Sequence, residues 1–475
     1  MRSSCRLSLV TCWRQQSCRL AMSAAPMVQL AIPVETGREY RVTQKGVNSA
    51  HELTQQIWNS REDLRQTIAR VEFDKLSFTA IGQALRQCIG KLLDSVGDGD
   101  DEVPESFFRE MADQYTTNLQ QLSAKIRTVV DRHIPCHLFH SDQHVAGFSI
   151  GPVEFLPRSD WVTRYVKNPD ELGYIRDVQA GAMPMAELRE MALSVNRERQ
   201  VCNAWSILRS LRGFEWIATV TTFDHELTQS HKKASIIVGL ALDAIGLRFG
   251  VDEARRFAMA GRASLVDEDR IATTLDGRFL RGTSASMPGI GGKPGGLTAK
   301  MQADKPYYDA VGHILSAYMR GRQSGRAPHL IERWANALYW IGEARREESD
   351  FMAVVNYGCA ADGLSGAGGE AKLITEFAQT ALNPRGDAVS DQHRSISDAV
   401  TTVYREGRNK LAHGETPGLF EDLSGTRATG DVLLSALFDV TTTELGSLVA
   451  DGDPILDVPE KHAYRAFLAK MQKRV

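Results

Sequence analysis

The segment Ile396–Gly414, with the sequence ISDAVTTVYREGRNKLAHG, carries the strongest structural signal in this chain of 475 residues. Its apolar positions recur every three or four residues, which predicts an amphipathic helix with one buried face. These positions are Ile396, Val400, Val403, Gly407 and Leu411. Gly414 and Pro417 are expected to end the helix. The segment therefore predicts a helix of roughly five turns packed against a core.

Three polar side chains near the end of this helix form a candidate catalytic group. At about 100° per residue, Asn409 and His413 share one face and Arg408 lies at its edge. All three are expected to point away from the buried stripe. Cations near a helix C-terminus also complement the helix dipole, so a purely structural role is the alternative.

An arginine, an asparagine and a histidine at this spacing can cleave RNA without a metal ion. RNA carries its own nucleophile, the 2′-hydroxyl, so an enzyme must remove that proton, stabilise the crowded phosphate and protonate the leaving oxygen. An imidazole can move protons because histidine titrates near neutral pH. A guanidinium binds phosphate oxygens through a planar fork. Asn409 is expected to hold either the imidazole tautomer or a phosphate oxygen.

The run RNKLAH, Arg408–His413, resembles the R-N-x-x-x-H signature of the HEPN superfamily, and RNKLAHGE resembles its Apea-like branch. Two predicted helices precede the motif, one beginning at Arg333–Ile341 and one at Asp350–Leu364. The resemblance covers residues 326–450, about a quarter of the chain.

The resemblance also implies a site and an activity. Asp362, late in the second of these helices, is expected to face Arg408, although glutamate is more usual at that position. HEPN domains are helical bundles that dimerise, and many are metal-independent endoribonucleases that leave a 2′,3′-cyclic phosphate and a 5′-hydroxyl. RNA would bind a local basic patch that includes Arg394, Arg405 and Lys410. Neither a cofactor nor a metal ion is expected in this site.

The predicted function is therefore a cytoplasmic endoribonuclease that acts on RNA as a homodimer, without a membrane partner. A role in bacterial defence or a toxin-like stress response follows by analogy with the family, as does an unidentified trigger bound by the amino-terminal region. Two alternatives remain open. In the first, the HEPN-like unit is a non-catalytic RNA-binding or dimerisation module that regulates a partner. In the second, the middle region is itself an enzyme that acts on a small molecule.

Composition limits the other function classes. A net charge of −3 argues against a broadly basic surface that coats nucleic acid. No run of eighteen apolar residues occurs, so no membrane span is expected. Beyond the first thirty residues the cysteines have no paired spacing, which favours buried thiols in a reducing cytosol. These cysteines are Cys88, Cys136, Cys202 and Cys359.

The length and the changing patterns predict a mostly helical α+β protein in which a mixed α/β amino-terminal region precedes a HEPN-like helical bundle. The predicted parts are a disordered or mis-annotated leader at 1–45, a helical region at 46–132, a mixed α+β region at 133–280, a Gly-rich linker at 281–304, a HEPN-like helical domain at 305–450 and a tail at 451–475.

Local periodicity places elements within these regions. Helices are expected near 53–71, 78–92, 108–129, 183–211, 232–250 and 252–262. A change from helix to strand is expected between Pro135 and Pro157, with a bent strand or hairpin around Gly151-Pro152, and another strand is expected at Phe214–Phe223.

Two further clusters suggest binding sites. Zinc donors crowd one short stretch, but a strand there would point alternate side chains apart, so a polar loop is the favoured interpretation. The donors are His133, Cys136, His137, His140, Asp142 and His144. The run GTSASMPGIGGKPGG, Gly282–Gly296, suggests a phosphate loop, yet it has Met287 where such a loop needs glycine and Pro294 where it needs serine or threonine. A flexible linker is favoured there.

Overall fold

The computed structural model is mostly helical with a small antiparallel five-stranded sheet, which confirms the α+β prediction at that level. It describes residues 27–29, 41–43, 52, 54–95, 105–262, 272–280, 288–293, 295–320, 328–383, 390–414, 421–457 and 460–473. The chain forms two compact units, one of residues 1–130 with 222–232 and one of residues 131–221 with 233–475.

Helices make up most of the described first unit. They are α1 (Glu62–Thr67), α2 (Arg70–Ser95) and α3 (Glu105–Ile126), and residues 54–60 are helical as well. Their apolar faces enclose a small core of Leu64, Ile68, Phe73, Ala80, Ala84, Tyr115 and Leu119. Most of the predicted leader lies outside the described residues. Within it, β1 (Met27–Gln29) pairs antiparallel with β2 (Arg41–Thr43).

Two helix predictions in this unit are wrong at their ends. The helix expected at 53–71 is interrupted at Ile68, whose extended backbone follows α1. Val71, expected on the buried face, is 67% exposed because it belongs to the next helix. Val129 is also exposed, since α3 ends at Ile126 and the chain enters a strand.

The five-stranded sheet has the order β4-β5-β6-β3-β7. Its strands are β3 (Thr128–His137), β4 (Phe148–Ile150), β5 (Val153–Pro157), β6 (Trp216–His225) and β7 (Ala258–Met259). Of the two forms predicted around Gly151, a bent strand or a hairpin, the structure shows the hairpin, in which Ile150 lies opposite Val153 in an antiparallel pair. The strand predicted at Phe214–Phe223 corresponds to β6. A separate pair, β8 (Ala272–Thr273) and β9 (Phe279–Leu280), lies outside this sheet.

Four helices between β5 and β6 form a block with its own core. They are α4 (Arg158–Tyr165), α5 (Pro169–Gln179), α6 (Met185–Leu193) and α7 (Arg199–Ser210). Their buried side chains include Trp161, Ile175, Leu188, Val201, Ala204 and Leu208. The single helix predicted at 183–211 is therefore two helices, because the backbone is extended at Ser194 and at Glu198.

Most of the remaining helices contribute buried side chains to one large core, which they share with the sheet. The remaining helices are α8 (Leu227–Leu247), α9 (Val251–Ala254), α10 (Gly296–Ala303), α11 (Lys305–Arg320), α12 (Pro328–Arg346), α13 (Asp350–Ser365), α14 (Ala371–Leu382), α15 (Ser390–Val400), a π-helix (Thr401–Asn409), α16 (Lys410–Ala412), α17 (Ser424–Asp451) and α18 (Glu460–Lys473). The shared core runs from strand residues such as Phe155 to helix residues such as Trp334, Phe438 and Met471. The carboxy-terminal helices are thus not a separately packed domain.

Long-range strand pairing overturns two local predictions. β3 begins at Thr128, well before the predicted change at Pro135, and Pro135 lies inside the strand. The helix predicted at 252–262 ends at Ala254, and the chain then forms β7, in which Met259 lies opposite Cys136. The partner strand is far away in sequence, so local periodicity could not reveal this pairing.

The flexible linker predicted at 281–304 is wrong for its described residues. Ile290 is buried, its N–H donates to the Leu138 carbonyl at 2.8 Å, and its carbonyl accepts from the His140 N–H at 3.0 Å. The helix α10 then begins at Gly296. This stretch therefore packs against the end of β3 and is held by backbone hydrogen bonds.

The described residues of the predicted tail at 451–475 are largely helical. Most of them form α18, and both Phe467 and Met471 are 3% exposed within the shared core. The amphipathic spacing of these two side chains fits a helix that lies on the bundle.

Buried ion pairs join helices of the second unit. The Arg345 guanidinium of α12 donates to both carboxylate oxygens of Asp431 in α17, at 2.7 and 3.1 Å. It also donates to the carbonyl oxygens of Gly246 and Phe249 at 2.7 and 3.2 Å. All five donors of a guanidinium need acceptors when it is buried, and this set supplies most of them.

Among the described helices, α17 alone is long and apolar enough to cross a membrane, by length and composition only. Half of its most apolar window is buried inside the protein. Its side chains Leu434, Leu437 and Phe438 are almost completely enclosed in the shared core. Its apolar composition is therefore explained by its position in the core.

Candidate functional site

One continuous helical segment carries the predicted catalytic group. It consists of α15, the π-helix and α16, and the five apolar positions predicted to be buried are buried. The segment packs against α13, where Gly407 lies so close to the Val354 side chain that an added Cβ would approach its Cγ1 to 2.6 Å. The amphipathic prediction for this segment is thus confirmed.

The π-helix changes which other side chains face the bundle. A π-helix closes hydrogen bonds over five residues, so each residue turns the chain by less than in an α-helix, and such segments are frequent at functional sites. Residues four apart therefore align more closely. Tyr404 is 1% exposed and Arg408 is half-buried, both beside the predicted stripe. The prediction that Arg408 points away from the bundle is wrong for this reason.

The Arg408 side chain is held on three sides. Its Nη1 donates to Asn409 Oδ1 at 2.9 Å, and its guanidinium lies 5.5 Å from the Tyr404 ring centroid. Its aliphatic stem lies against Gly358 of α13, where an added Cβ would be 2.5 Å from Arg408 Cγ. Cation–π contact and this close backbone approach fix the direction of the guanidinium. The sequence left the partner of Asn409 undecided, and in the structure that partner is Arg408.

Asp362 lies near the same side chains but has another partner. Its Oδ1 accepts a hydrogen bond from the Gly369 N–H at 2.8 Å, which ties the end of α13 to the following glycine-rich turn. Within the described part of the chain, Asp362 and Arg408 form no ion pair. Burial raises the pKa of Tyr404, the Asp362 carboxylate raises it further, and the Arg408 guanidinium lowers it. Both charges are therefore close to Tyr404, and the direct pairing implied by the resemblance is not observed.

His413 lies one residue beyond α16 and its side chain is exposed. Its backbone N–H donates to the Asn409 carbonyl at 3.0 Å, which fixes the backbone at this position. Among the described residues its imidazole has no hydrogen-bond or ion-pair partner. The ring is thus available to solvent and to a ligand.

The predicted basic patch is present in part. Arg405 and Lys410 are both exposed on the same helical segment as His413. The side chain of Arg394 lies outside the described part. The exposed Glu406 lies on the same segment, so these two cations together with Arg408 give it a small net positive charge, which suits a phosphodiester.

The zinc donors predicted around β3 do not converge. Cys136 points into the core with 0% exposure, and burial raises the pKa of its thiol. His133 lies elsewhere, with its Nδ1 at 3.0 Å from Trp161 Nε1, and burial lowers its pKa. His137 stacks on Phe214. Within the described ranges, no group of three or more His, Cys, Asp and Glu side chains is placed to hold a metal ion.

Sequence reasoning missed two residues of the site. Tyr404 stands four residues before Arg408 in the quoted segment, so its ring could have been proposed as a support for the guanidinium. Gly358 could not have been found, because its role depends on how α13 packs against the π-helix.

Comparison of the chain with models of known protein families, with characterised proteins and with solved structures gives no match. The description of the fold and of the site therefore rests on the sequence and the structure of this chain alone.

The hydroxyl of Tyr404 offers a stability test of this geometry. It is buried and has no hydrogen-bond partner among the described residues. A buried hydroxyl without a partner costs about 1–3 kcal/mol, so Tyr404→Phe is expected to raise the free energy of unfolding by about 1 kcal/mol in urea titrations. The matched control is Tyr357→Phe, which removes a 2.8 Å hydrogen bond to Asp431 and should lower stability by about 2 kcal/mol. A comparable loss in Tyr404→Phe would show that its hydroxyl is paired.

Proposed function

We propose that this protein is a metal-independent endoribonuclease with Arg408, Asn409 and His413 as its catalytic group. The observation that supports this most is the combination of an exposed imidazole and a half-buried guanidinium, hydrogen-bonded to Asn409 and set over Tyr404, near the end of one helical segment. An isolated surface arginine would be free to rotate, whereas this one is already oriented. Oriented charge is the larger part of catalysis at a phosphate.

In this proposal Arg408 binds the scissile phosphate. Its Nη1 is engaged with Asn409, which leaves the other guanidinium N–H groups to reach phosphate oxygens. Asn409 then acts by orienting the guanidinium, and its amide N–H groups are left to donate to a phosphate oxygen. Negative charge accumulates on these oxygens as the 2′-oxygen attacks, so the fixed cation stabilises the transition state more than the ground state.

Proton transfer falls to His413. The 2′-hydroxyl loses a proton as its oxygen bonds to phosphorus, and the 5′-oxygen takes a proton as its bond to phosphorus breaks. The products are a 2′,3′-cyclic phosphate and a 5′-hydroxyl, with no net oxidation and no water consumed. In the proposed homodimer the partner's His413 would supply the second proton-transfer group, so one acts as base and the other as acid.

The proposal assigns the carboxy-terminal helices to a HEPN-like bundle, in line with the resemblance of RNKLAH to the motif of that superfamily. It also assigns the protein to the cytoplasm and to a defence or toxin-like response in bacteria, by family analogy alone. Arg405 and Lys410 would hold the RNA backbone next to the scissile phosphate.

The test is cleavage of total RNA by the purified full-length chain in the presence of a strong chelator. We expect cleavage that resists the chelator, with 2′,3′-cyclic phosphate and 5′-hydroxyl ends found by end-specific sequencing. Ends with 5′-phosphates, or cleavage that disappears with chelator, would contradict the proposal. RNA binding without cleavage would instead support the non-catalytic module.

Gly358 provides a sharper test of the supported guanidinium. In Gly358→Ala the added Cβ pushes against the Arg408 stem, so we expect at least a tenfold fall in kcat for cleavage of a short RNA. Gly363→Ala is the matched control on the same helix, since an added Cβ there has no atom within 4 Å. That control should keep full activity and gain up to about 1 kcal/mol from higher helix propensity. Equal activity of the two variants would show that the Gly358 contact does not position Arg408.

A further inference from the structure

A cleft of about 470 Å³ lies on the block of helices α4–α7, and none of its lining residues belongs to the proposed catalytic group. Its lining residues are Ala192, Arg197, Arg199, Cys202, Trp205 and Ser206. Four of these lie along one face of α7, starting at its first residue, and Ala192 belongs to α6. The volume falls within the range of small-molecule sites in proteins.

One end of the cleft is suited to an anion. Arg197 and Arg199 are both exposed, and within the described part of the chain neither forms an ion pair. No carboxylate is among the lining residues. The N-cap residue of α7, Glu198, makes no side-chain cap hydrogen bond, so the first backbone N–H groups of the helix keep their donor capacity. Two exposed arginines and an uncapped helix N-terminus therefore lie at the same end of the cleft, with the exposed Glu198 between the arginines in sequence and outside the lining.

The other end of the cleft presents an aromatic surface. Trp205 is half-buried and packs in part against the core of this block, and among the described residues no other ring and no cation contacts it. It lies six residues after Arg199 on the same helix, which is a rise of about 9 Å. The exposed part of such an indole can stack on a nucleobase. The separation fits a phosphate at one end and a base at the other.

From these observations we propose that this cleft binds a nucleotide, with the phosphate at Arg197 and Arg199 and the base stacked on Trp205. The same chemistry is offered by a free nucleoside monophosphate and by one unit of single-stranded RNA. The site does not depend on the proposed ribonuclease activity, because none of its residues belongs to the catalytic group. Ser206 lies beside Trp205 and can donate to a ribose or base oxygen.

The experiment measures binding to the purified full-length chain by calorimetry. One arm uses AMP, and the other uses a 2′-O-methyl hexaadenylate, which lacks the nucleophile and so cannot be cleaved through a 2′-hydroxyl. We expect the double variant Arg197→Ala/Arg199→Ala to weaken binding at least tenfold. Loss of the one phosphate contact that both arginines make should also reduce the salt slope for the hexamer by about 0.7.

The aromatic end is tested separately. Trp205→Leu should weaken binding at least tenfold, whereas Trp205→Phe keeps a stacking surface and should lose less. The matched control is Arg189→Ala/Arg209→Ala, which removes the same charge from exposed positions of α6 and α7 outside the cleft. This control should bind as the unaltered chain does.

A footprint on the unaltered chain avoids any effect of substitution on folding. Cys202 lines the cleft and is half-buried, so bound nucleotide should slow its alkylation by iodoacetamide at least threefold. The double arginine variant should lose this protection.

Each outcome decides the proposal. Binding of AMP identifies a free nucleotide as a sufficient ligand, and binding of the hexamer alone identifies an RNA strand, and both support the site. The proposal is overturned if neither ligand binds at millimolar concentration, or if the cleft variants bind as the control does. It is also overturned if a hexaglutamate peptide displaces the nucleotide with equal affinity. Failure of RNA cleavage would leave these binding results unchanged, so the two proposals fail separately.

Discussion

His413→Ala is expected to lower the rate of RNA cleavage by roughly 10²- to 10⁴-fold, the usual range for loss of a general acid or base. The side chain is exposed and has no partner among the described residues, so its removal should leave the fold unchanged. The loss should appear in kcat, because the imidazole transfers protons in the transition state and contributes little to binding of the RNA in the ground state. The measurement is single-turnover cleavage of a short labelled RNA at saturating enzyme.

The matched control is His313→Ala, which removes an exposed histidine from α11 in the same unit. It should cleave at the rate of the unaltered chain, and both variants should keep the same unfolding midpoint. Equal cleavage by His413→Ala and the unaltered chain would exclude His413 as a catalytic residue. Such a result would favour the reading of these helices as a binding or dimerisation module.

Arg345→Met is expected to cause the largest loss of stability, about 3–5 kcal/mol, which is typical when one partner of a buried ion pair is removed. Methionine fills much of the volume of the arginine side chain but cannot donate any of its hydrogen bonds. Asp431 would keep only the hydroxyl of Tyr357 as a direct partner in this network. The carbonyl oxygens of Gly246 and Phe249 would also lose a donor.

The control for this prediction is Arg320→Met, a substitution at an exposed position at the end of α11. It should change the free energy of unfolding by less than about 0.5 kcal/mol. Urea unfolding followed by circular dichroism measures both variants. A loss below about 1 kcal/mol in Arg345→Met would show that the Arg345 network contributes little to the stability of this unit.

Helix positions were largely predictable because amphipathic periodicity is a local property. The buried stripe from Ile396 to Leu411 was read correctly, as were the helices that contain Trp334 and Tyr357. The hairpin around Gly151 was also predictable, since alternation of apolar residues on either side of a glycine-proline turn is short in range.

Features that depend on a distant partner were not predictable. β7 forms because β3 offers an edge more than a hundred residues earlier in the chain, and its own sequence gives no such signal. The stretch around Ile290 was taken for a linker because glycine suggests flexibility, yet hydrogen bonds to Leu138 and His140 hold it in place. Glycine permits either result, and only the partner decides between them.

The features of the candidate site also separate into those that were predictable from the sequence and those that depend on tertiary packing. The sequence by itself determined which residue types stand together, namely an arginine, an asparagine and a histidine at the end of an amphipathic helix, because covalent order and helical rise fix their neighbourhood. The tertiary structure decided the direction of the guanidinium, because the π-helix brings Tyr404 and Arg408 onto the face that packs against α13. Gly358 of α13 has no side chain and leaves room there for the Arg408 stem. This contact stabilises the site only when α13 packs against the π-helix.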